Sequence, residues 1–147
     1  MKLSKDLREF IELLNLNRVE YVIVGGHAVA FHGYPRFTGD TDFLVRPDLA
    51  NASRVISVLN GVGMGDVGLS EKDFCLAGQI IQLGFPPNRI DLVTSISGLT
   101  FDEAWSSRVH ADLDGLPVSI LGKEALLRNK RAVGRAKELA DIEELSD

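Results

Sequence analysis

The run Asp40-Thr41-Asp42-Phe43-Leu44-Val45 constrains this chain more than any other stretch. Side chains alternate faces along a strand, so Asp40 and Asp42 share one face while Thr41, Phe43 and Val45 share the other. Two carboxylates roughly 6.5–7 Å apart along one strand face repel each other unless something cationic sits between them. A hard divalent cation such as Mg2+ suits carboxylate oxygens, and it also binds phosphate oxygens. The residues upstream supply a complement. An apolar run, Tyr21 to Val24, meets Gly25-Gly26, and a helix-compatible stretch from His27 to His32 ends at Gly33. Glycine lets the backbone approach a ligand closely, and the N–H groups opening the helix face an anion. Metal-binding acids beside a phosphate cradle point to phosphoryl or nucleotidyl transfer.

The rest of the chain bounds that chemistry. Its 147 residues, 45% hydrophobic and 25% charged, suit one globular domain spanning 1–147. A net charge of −5 argues against indiscriminate nucleic-acid binding and leaves RNA bound through a local patch open. The single cysteine, Cys75, excludes an internal disulfide and fits a reducing cytosol. No apolar run is long enough to cross a membrane, and the opening MKLSKDLREF lacks a signal-peptide core. A cytoplasmic protein without a membrane partner is expected.

Ser4 caps a predicted first helix with Leu3, Leu7, Phe10, Ile11 and Leu14 in one apolar stripe. Pro47-Asp48 starts another, with Leu49, Ala52, Ile56 and Leu59 inward and Gly61 at its end. A formal Gly-x-Gly-x-x-Gly at Gly63, Gly65 and Gly68 follows a helix and not a strand, so it reads as a mobile loop, a flap near the substrate, and not as a dinucleotide fingerprint. Gln79 to Phe85 and Arg89 to Val93 read as strands joined by Pro86-Pro87-Asn88. In the second, Arg89, Asp91 and Val93 share a face opposite Ile90 and Leu92. Asp91 is costly in an apolar strand unless it is metal-bound or paired, with Arg89 or Arg36 as the available cations.

A short helix from Thr100 through Trp105 precedes a hairpin turned at Asp114-Gly115, which pairs Leu113 with Leu116 and Ala111 with Val118. Pro117 implies an edge position for its own strand, in a hairpin that extends the sheet. From Gly122 the chain is helical with a break near Gly134, and it carries the one concentrated basic region: Lys123, Arg128, Lys130, Arg131, Arg135 and Lys137. Gly122-Lys123 is no P-loop, because Glu124 follows and the upstream glycine is missing. His27, His32 and His110 lack zinc spacing.

In this order the parts resemble the nucleotidyltransferase superfamily of polymerase-β-type and aminoglycoside nucleotidyltransferases. Its signature is an apolar strand, Gly-Gly or Gly-Ser, an acid-x-acid pair opening the next strand, and a third acid on a later strand. Gly25, Gly26, Asp40, Asp42 and Asp91 match those parts. Small bacterial members, some of them toxin or abortive-infection proteins, carry an Arg-x-Thr-x-Asp-x-Asp run, which Arg36, Thr38, Asp40 and Asp42 reproduce.

The resemblance implies an α/β (α+β) domain: a minimal nucleotidyltransferase fold with a mixed sheet flanked by helices and C-terminal helices. Asp40, Asp42 and Asp91 are the implied catalytic and metal-binding residues, holding one or two Mg2+ ions, with Mn2+ as a substitute. Gly25, Gly26, Arg36, Thr38, Lys130 and Arg135 are the implied nucleotide and phosphate contacts. The implied reaction is attack of an acceptor hydroxyl, on RNA, protein or a small molecule, at the α-phosphorus of a nucleoside triphosphate. Three settings stay open: an enzyme of a toxin–antitoxin or defence system, a catalytically silent binding module or antitoxin partner, and an antibiotic-modifying enzyme of aminoglycoside or lincosamide type. A homodimer or a protein partner is compatible with each.

Overall fold

Local sequence signals start most of the elements. A computed structural model of the protein describes residues 2–34, 38–63 and 68–146. Helix α1 (Lys5–Leu16) begins where the Ser4 hydroxyl accepts the Leu7 N–H at 3.2 Å, and it buries Leu7, Phe10, Ile11 and Leu14 on one stripe. Strand β1 (Tyr21–Val24) is buried at all four positions and runs directly into α2 (Gly25–Phe31). Strand β2 (Asp40–Val45) follows, then α3 (Leu49–Gly61), whose first turn is capped by Asp48 accepting the Asn51 N–H at 2.8 Å. Strands β3 (Ile80–Leu83) and β4 (Arg89–Val93) come next, preceded by a 3-10 turn at Glu71–Phe74 that the sequence pattern did not foreshadow. Thr100 and Glu103 cap the start of α4 (Phe101–Ser107) reciprocally. Hairpin strands β5 (Val109–Leu113) and β6 (Leu116–Ile120) lead to α5 (Lys123–Val133) and α6 (Ala136–Leu145), separated by the left-handed Gly134.

The six strands form one open mixed sheet in the order β3-β4-β2-β1-β6-β5. Neighbours β2 and β4 run parallel, as do β1 and β6, and the remaining pairs are antiparallel. One face of β2 meets α1: the Phe43 ring lies 5.5 Å from Phe10 and 5.6 Å from Tyr21, in tilted geometries. The other face carries the acids and lies beneath α5 and α6. Among the described residues no helix is long and apolar enough to cross a membrane.

Three expectations change. Leu49 is 67% exposed, and α3 instead buries Ala52, Val55, Val58 and Leu59. As the first helical residue after the Asp48 cap, Leu49 lies outside the stripe that the later turns press inward. Pro117 does not mark an edge, because β6 lies between β1 and β5. Asp114 and Gly115 both have positive φ, 53° and 85°, so Leu113 and Leu116 flank a two-residue turn. The next pair, Asp112 with Pro117, is then the non-hydrogen-bonded kind, and the missing proline N–H points away from β5. Since β6 meets β1 at Ile120, further along, the proline costs no ladder bond. Strand β3 is shorter than Gln79 to Phe85. Arg36 and most of the Gly63–Gly68 loop lie outside the described residues.

The phase of α3 can be checked with two leucines. Leu59→Ala should cost about 2–5 kcal/mol of unfolding free energy, as for a filled core site. Leu49→Ala should change it by less than about 0.5 kcal/mol. Urea denaturation of both variants measures the contrast, and equal losses would contradict the observed phase.

Candidate active site

Strand register builds the site. In the parallel β2–β4 pair, Asp40 lies opposite Arg89 and Asp42 opposite Asp91. Each strand spaces its two charged residues by two, so all four side chains emerge on one face while Thr41, Phe43, Ile90 and Leu92 enter the other. A slip of one residue would send the acids into the core. Carboxylate oxygens of Asp40, Asp42 and Asp91 come within 4.8 Å of one another, and Asp91 is only 6% exposed.

On the far side of β2, Val24 lies opposite Asp42, and the next residue turns the chain into α2. Gly25 makes that turn at φ +67°, and a Cβ there would stand 2.1 Å from Asp42 Oδ2. Glycine is therefore required twice over, for the backbone angle and for the space. Gly26 follows as the second residue of α2 and is half-buried.

Among the described residues the acids have one cationic neighbour. Arg89 Nε donates to Asp91 Oδ1 at 2.9 Å, and Nη2 donates to Asp91 Oδ2 and to Asp40 Oδ2, both at 3.1 Å. Sequence had placed Arg89 and Asp91 on one face and offered Arg89 as a structural partner, without a place in the site. The signal was available: Arg-x-Asp on one strand has the same period as Asp-x-Asp on its neighbour.

One guanidinium does not balance three carboxylates, and their mutual repulsion shifts their acidities. Burial pushes the Asp42 carboxyl up to about 8, and the nearby Asp40 and Asp91 add to the effect. Asp40 moves the other way. Burial would raise it, but hydrogen bonding with Asp42 and Asp91 and the charge of Arg89 outweigh that and hold it below the usual carboxylate range. The Arg89 guanidinium is held above its ordinary value, chiefly by its hydrogen bond to Asp91.

The three acids form the floor of an open cleft of about 370 Å³. Gly25 reaches it from α2, Ile80 and Gln82 from β3, Asn129, Lys130 and Val133 from α5, and Glu138 from α6, with Arg135 at the junction of the two helices. Lys130 Nζ sits 3.0 Å from Asp141 with only 8% of its side chain exposed, and Arg135 pairs with Glu138 while remaining 73% exposed. Both sequence-nominated cations therefore face the cleft with a carboxylate already at hand. Thr38 hydrogen-bonds His27, Oγ1 to Nε2, at 3.1 Å. Burial lowers the His27 imidazole, and the charge of Asp40 partly opposes that. The nomination of Arg36 falls outside the described residues.

Three carboxylates and no sulfur or imidazole make a hard, all-oxygen donor set that fits Mg2+ or Mn2+. The proton retained by Asp42 is the mark of negative charge that a divalent ion could balance instead.

No family model and no curated relative matches the sequence. Solved structures do. A Thermotoga maritima protein assigned as a nucleotidyltransferase aligns at TM-score 0.61 and 13% identity, covering 93% of this chain and 88% of that one. The lincosamide antibiotic adenylyltransferase LnuA, solved with lincomycin bound, aligns at 0.57 and 17%, covering 99% and 97%. ANT(2'')-Ia, in complex with adenylyl-2''-tobramycin, aligns at 0.58 and 13%, covering 95% and 84%. This chain shares the fold of these solved structures.

The proton on Asp42 has a consequence for stability. An unfolded aspartate ionises near its ordinary value of 3.8, whereas folded Asp42 holds its proton to about 8. Its contribution to stability is complete below 3.8 and is lost as pH rises toward 8. Asn cannot ionise and still donates toward Asp40. In chelator, Asp42→Asn should therefore melt about 3 °C or more above wild type at pH 8, with the gain fading toward pH 4. A gain independent of pH, read by calorimetry, would refute the assignment.

Proposed function

We propose that this chain is a divalent-metal-dependent nucleotidyltransferase that moves a nucleoside monophosphate from a nucleoside triphosphate to an acceptor hydroxyl. The observation that carries it is the convergence of Asp40, Asp42 and Asp91 on the floor of an open cleft. The shared fold supports it. Asp40, Asp42 and Asp91 are the residues that would hold one or two Mg2+ ions. Such ions supply charge neutralisation for the triphosphate and make the acceptor hydroxyl easier to deprotonate.

The chain's own groups then have distinct tasks. Gly25 and Gly26 keep the start of α2 clear for phosphate oxygens. Lys130 and Arg135 face the triphosphate from α5 and the α5–α6 junction, and Thr38 and Arg36 steady the acid pair from the preceding loop. Asp91 takes the proton as the acceptor oxygen bonds to the α-phosphorus and the bond to the departing pyrophosphate breaks. Each Asp91 oxygen accepts one Arg89 N–H, which leaves a second lone pair on each for that task.

A small hydroxylated acceptor is favoured over RNA. Three of the six cations in the basic segment are paired within the fold: Arg128 with Glu103, Lys130 with Asp141 and Arg135 with Glu138. The likeness to the lincosamide antibiotic adenylyltransferase, matched over 97% of its length, supports that setting. RNA or protein modification, within a toxin–antitoxin or defence pair, is the competing setting.

Incubation with each nucleoside triphosphate, Mg2+ and panels of small hydroxylated compounds, RNA and proteins should yield one nucleotidylated class by mass spectrometry. In single-turnover transfer, Asp91→Asn should lose roughly 10²–10⁴-fold in rate while nucleotide affinity falls only modestly. Near-normal transfer by that variant would remove Asp91 from the proton step.

A further inference from the structure

The proposed chemistry gives Arg89 no step, yet it hydrogen-bonds two of the three acids. Its guanidinium takes both oxygens of Asp91 and one of Asp40. A divalent ion at the triad needs lone pairs on the same carboxylates. Arg89 could assist such an ion, by fixing the carboxylates, or oppose it, by adding like charge. The opposition is the larger effect. A fixed monocation beside a divalent ion feels twice the Coulomb energy of a monovalent pair, in a cleft floor where Asp91 is nearly buried. Nor can the guanidinium shed its proton to relieve the repulsion, as a lysine can when buried.

Resting on the nucleotidyltransferase reading, we infer that Arg89 is the resident counter-ion of the acid triad, holding off a free divalent ion until a triphosphate arrives with it. Without substrate, the guanidinium spans β2 and β4, offsets the repulsion between Asp40 and Asp91, and keeps the strand ends together. A triphosphate brings negative charge and planar pairs of oxygens that a guanidinium binds bidentately. Arg89 then exchanges carboxylate for phosphate oxygens as Asp40 and Asp91 turn to the metal. Metal and nucleotide bind cooperatively, and the cooperativity resides in this one side chain. Arg89 positions the carboxylates before the exchange and contacts phosphate after it.

The test uses Mn2+ binding followed by electron paramagnetic resonance, with and without a non-hydrolysable triphosphate analogue. Wild type should bind Mn2+ weakly alone and markedly tighter with the analogue. Arg89→Gln should bind Mn2+ alone at least about tenfold tighter than wild type, the scale on which contacts beside a metal act. Its coupling to the analogue should shrink correspondingly. Arg89→Lys, which keeps the charge and loses the fork, should retain the weak binding of wild type. In chelator Arg89→Gln should melt below wild type, and Mn2+ should restore it.

Unchanged or weaker Mn2+ binding by Arg89→Gln overturns the counter-ion role. So does an Arg89→Lys variant that binds as tightly as Arg89→Gln is expected to, and it keeps the test decisive if the glutamine variant does not fold. Failure of the underlying reading looks different. A wild type that binds no Mn2+ with or without the analogue, and does not differ from Asp42→Asn, overturns the metal site itself and the inference with it. Binding that depends on Asp42 but ignores Arg89 overturns the inference alone.

Discussion

Everything in this site depends on the parallel pairing of β2 and β4. That pairing places Asp42 directly beside Asp91, an arrangement that like charges oppose, and sets Arg89 beside Asp40, an arrangement that opposite charges favour. The two contacts belong to one register and cannot be separated. Hydrophobic burial on the reverse face holds the register: Phe43 and Leu92 are fully buried. The core therefore offsets a local electrostatic cost on the opposite surface. Part of that cost is relieved internally, by the Arg89 fork and the proton on Asp42.

The helices over the cleft follow a related logic. Helices α5 and α6 meet at the left-handed Gly134, and the buried Lys130–Asp141 pair ties them together. Breaking such a pair from one side leaves a buried charge without its partner, which is strongly unfavourable. The loop after β4 also anchors α5, through Asn129 donating to the Ser97 carbonyl at 2.8 Å. Gly98 lies so close beneath that a Cβ would approach Ala132 to 2.7 Å. The cations facing the cleft are thus mounted on a helix pair whose position is fixed by packing and by ion pairs.

Much of this was legible in the chain. Alternation put Asp40 and Asp42 on one face, and the same rule applied to Arg89-Ile90-Asp91 put an acid where an apolar strand would not normally keep one. Ser4, Asp48 and Thr100 cap helices, and Asp114-Gly115 closes the hairpin in the register its residue types require. Those signals act within a few residues, so the sequence displays them. Leu49 and Pro117 misled for the same reason. Each has a local preference that depends on which neighbour lies on which side, and the order β3-β4-β2-β1-β6-β5 supplies that only after folding.

The sequence by itself determined which residues could be acid, glycine or cation at the site, and on which face of its own element each stands. The alternation of a strand and the period of a helix are properties of the backbone. Only the tertiary structure decided which charges meet. Asp91 joins Asp40 and Asp42 because β4 pairs with β2 in one register, across some fifty residues of chain. Arg89 changes from a structural partner to a competitor for the same oxygens because that register brings it to Asp40 as well. Lys130 and Arg135 face the cleft already paired because α6 folds back on α5. Electrostatic interactions depend on distance through space, and distance through space is what a chain does not carry until it has folded.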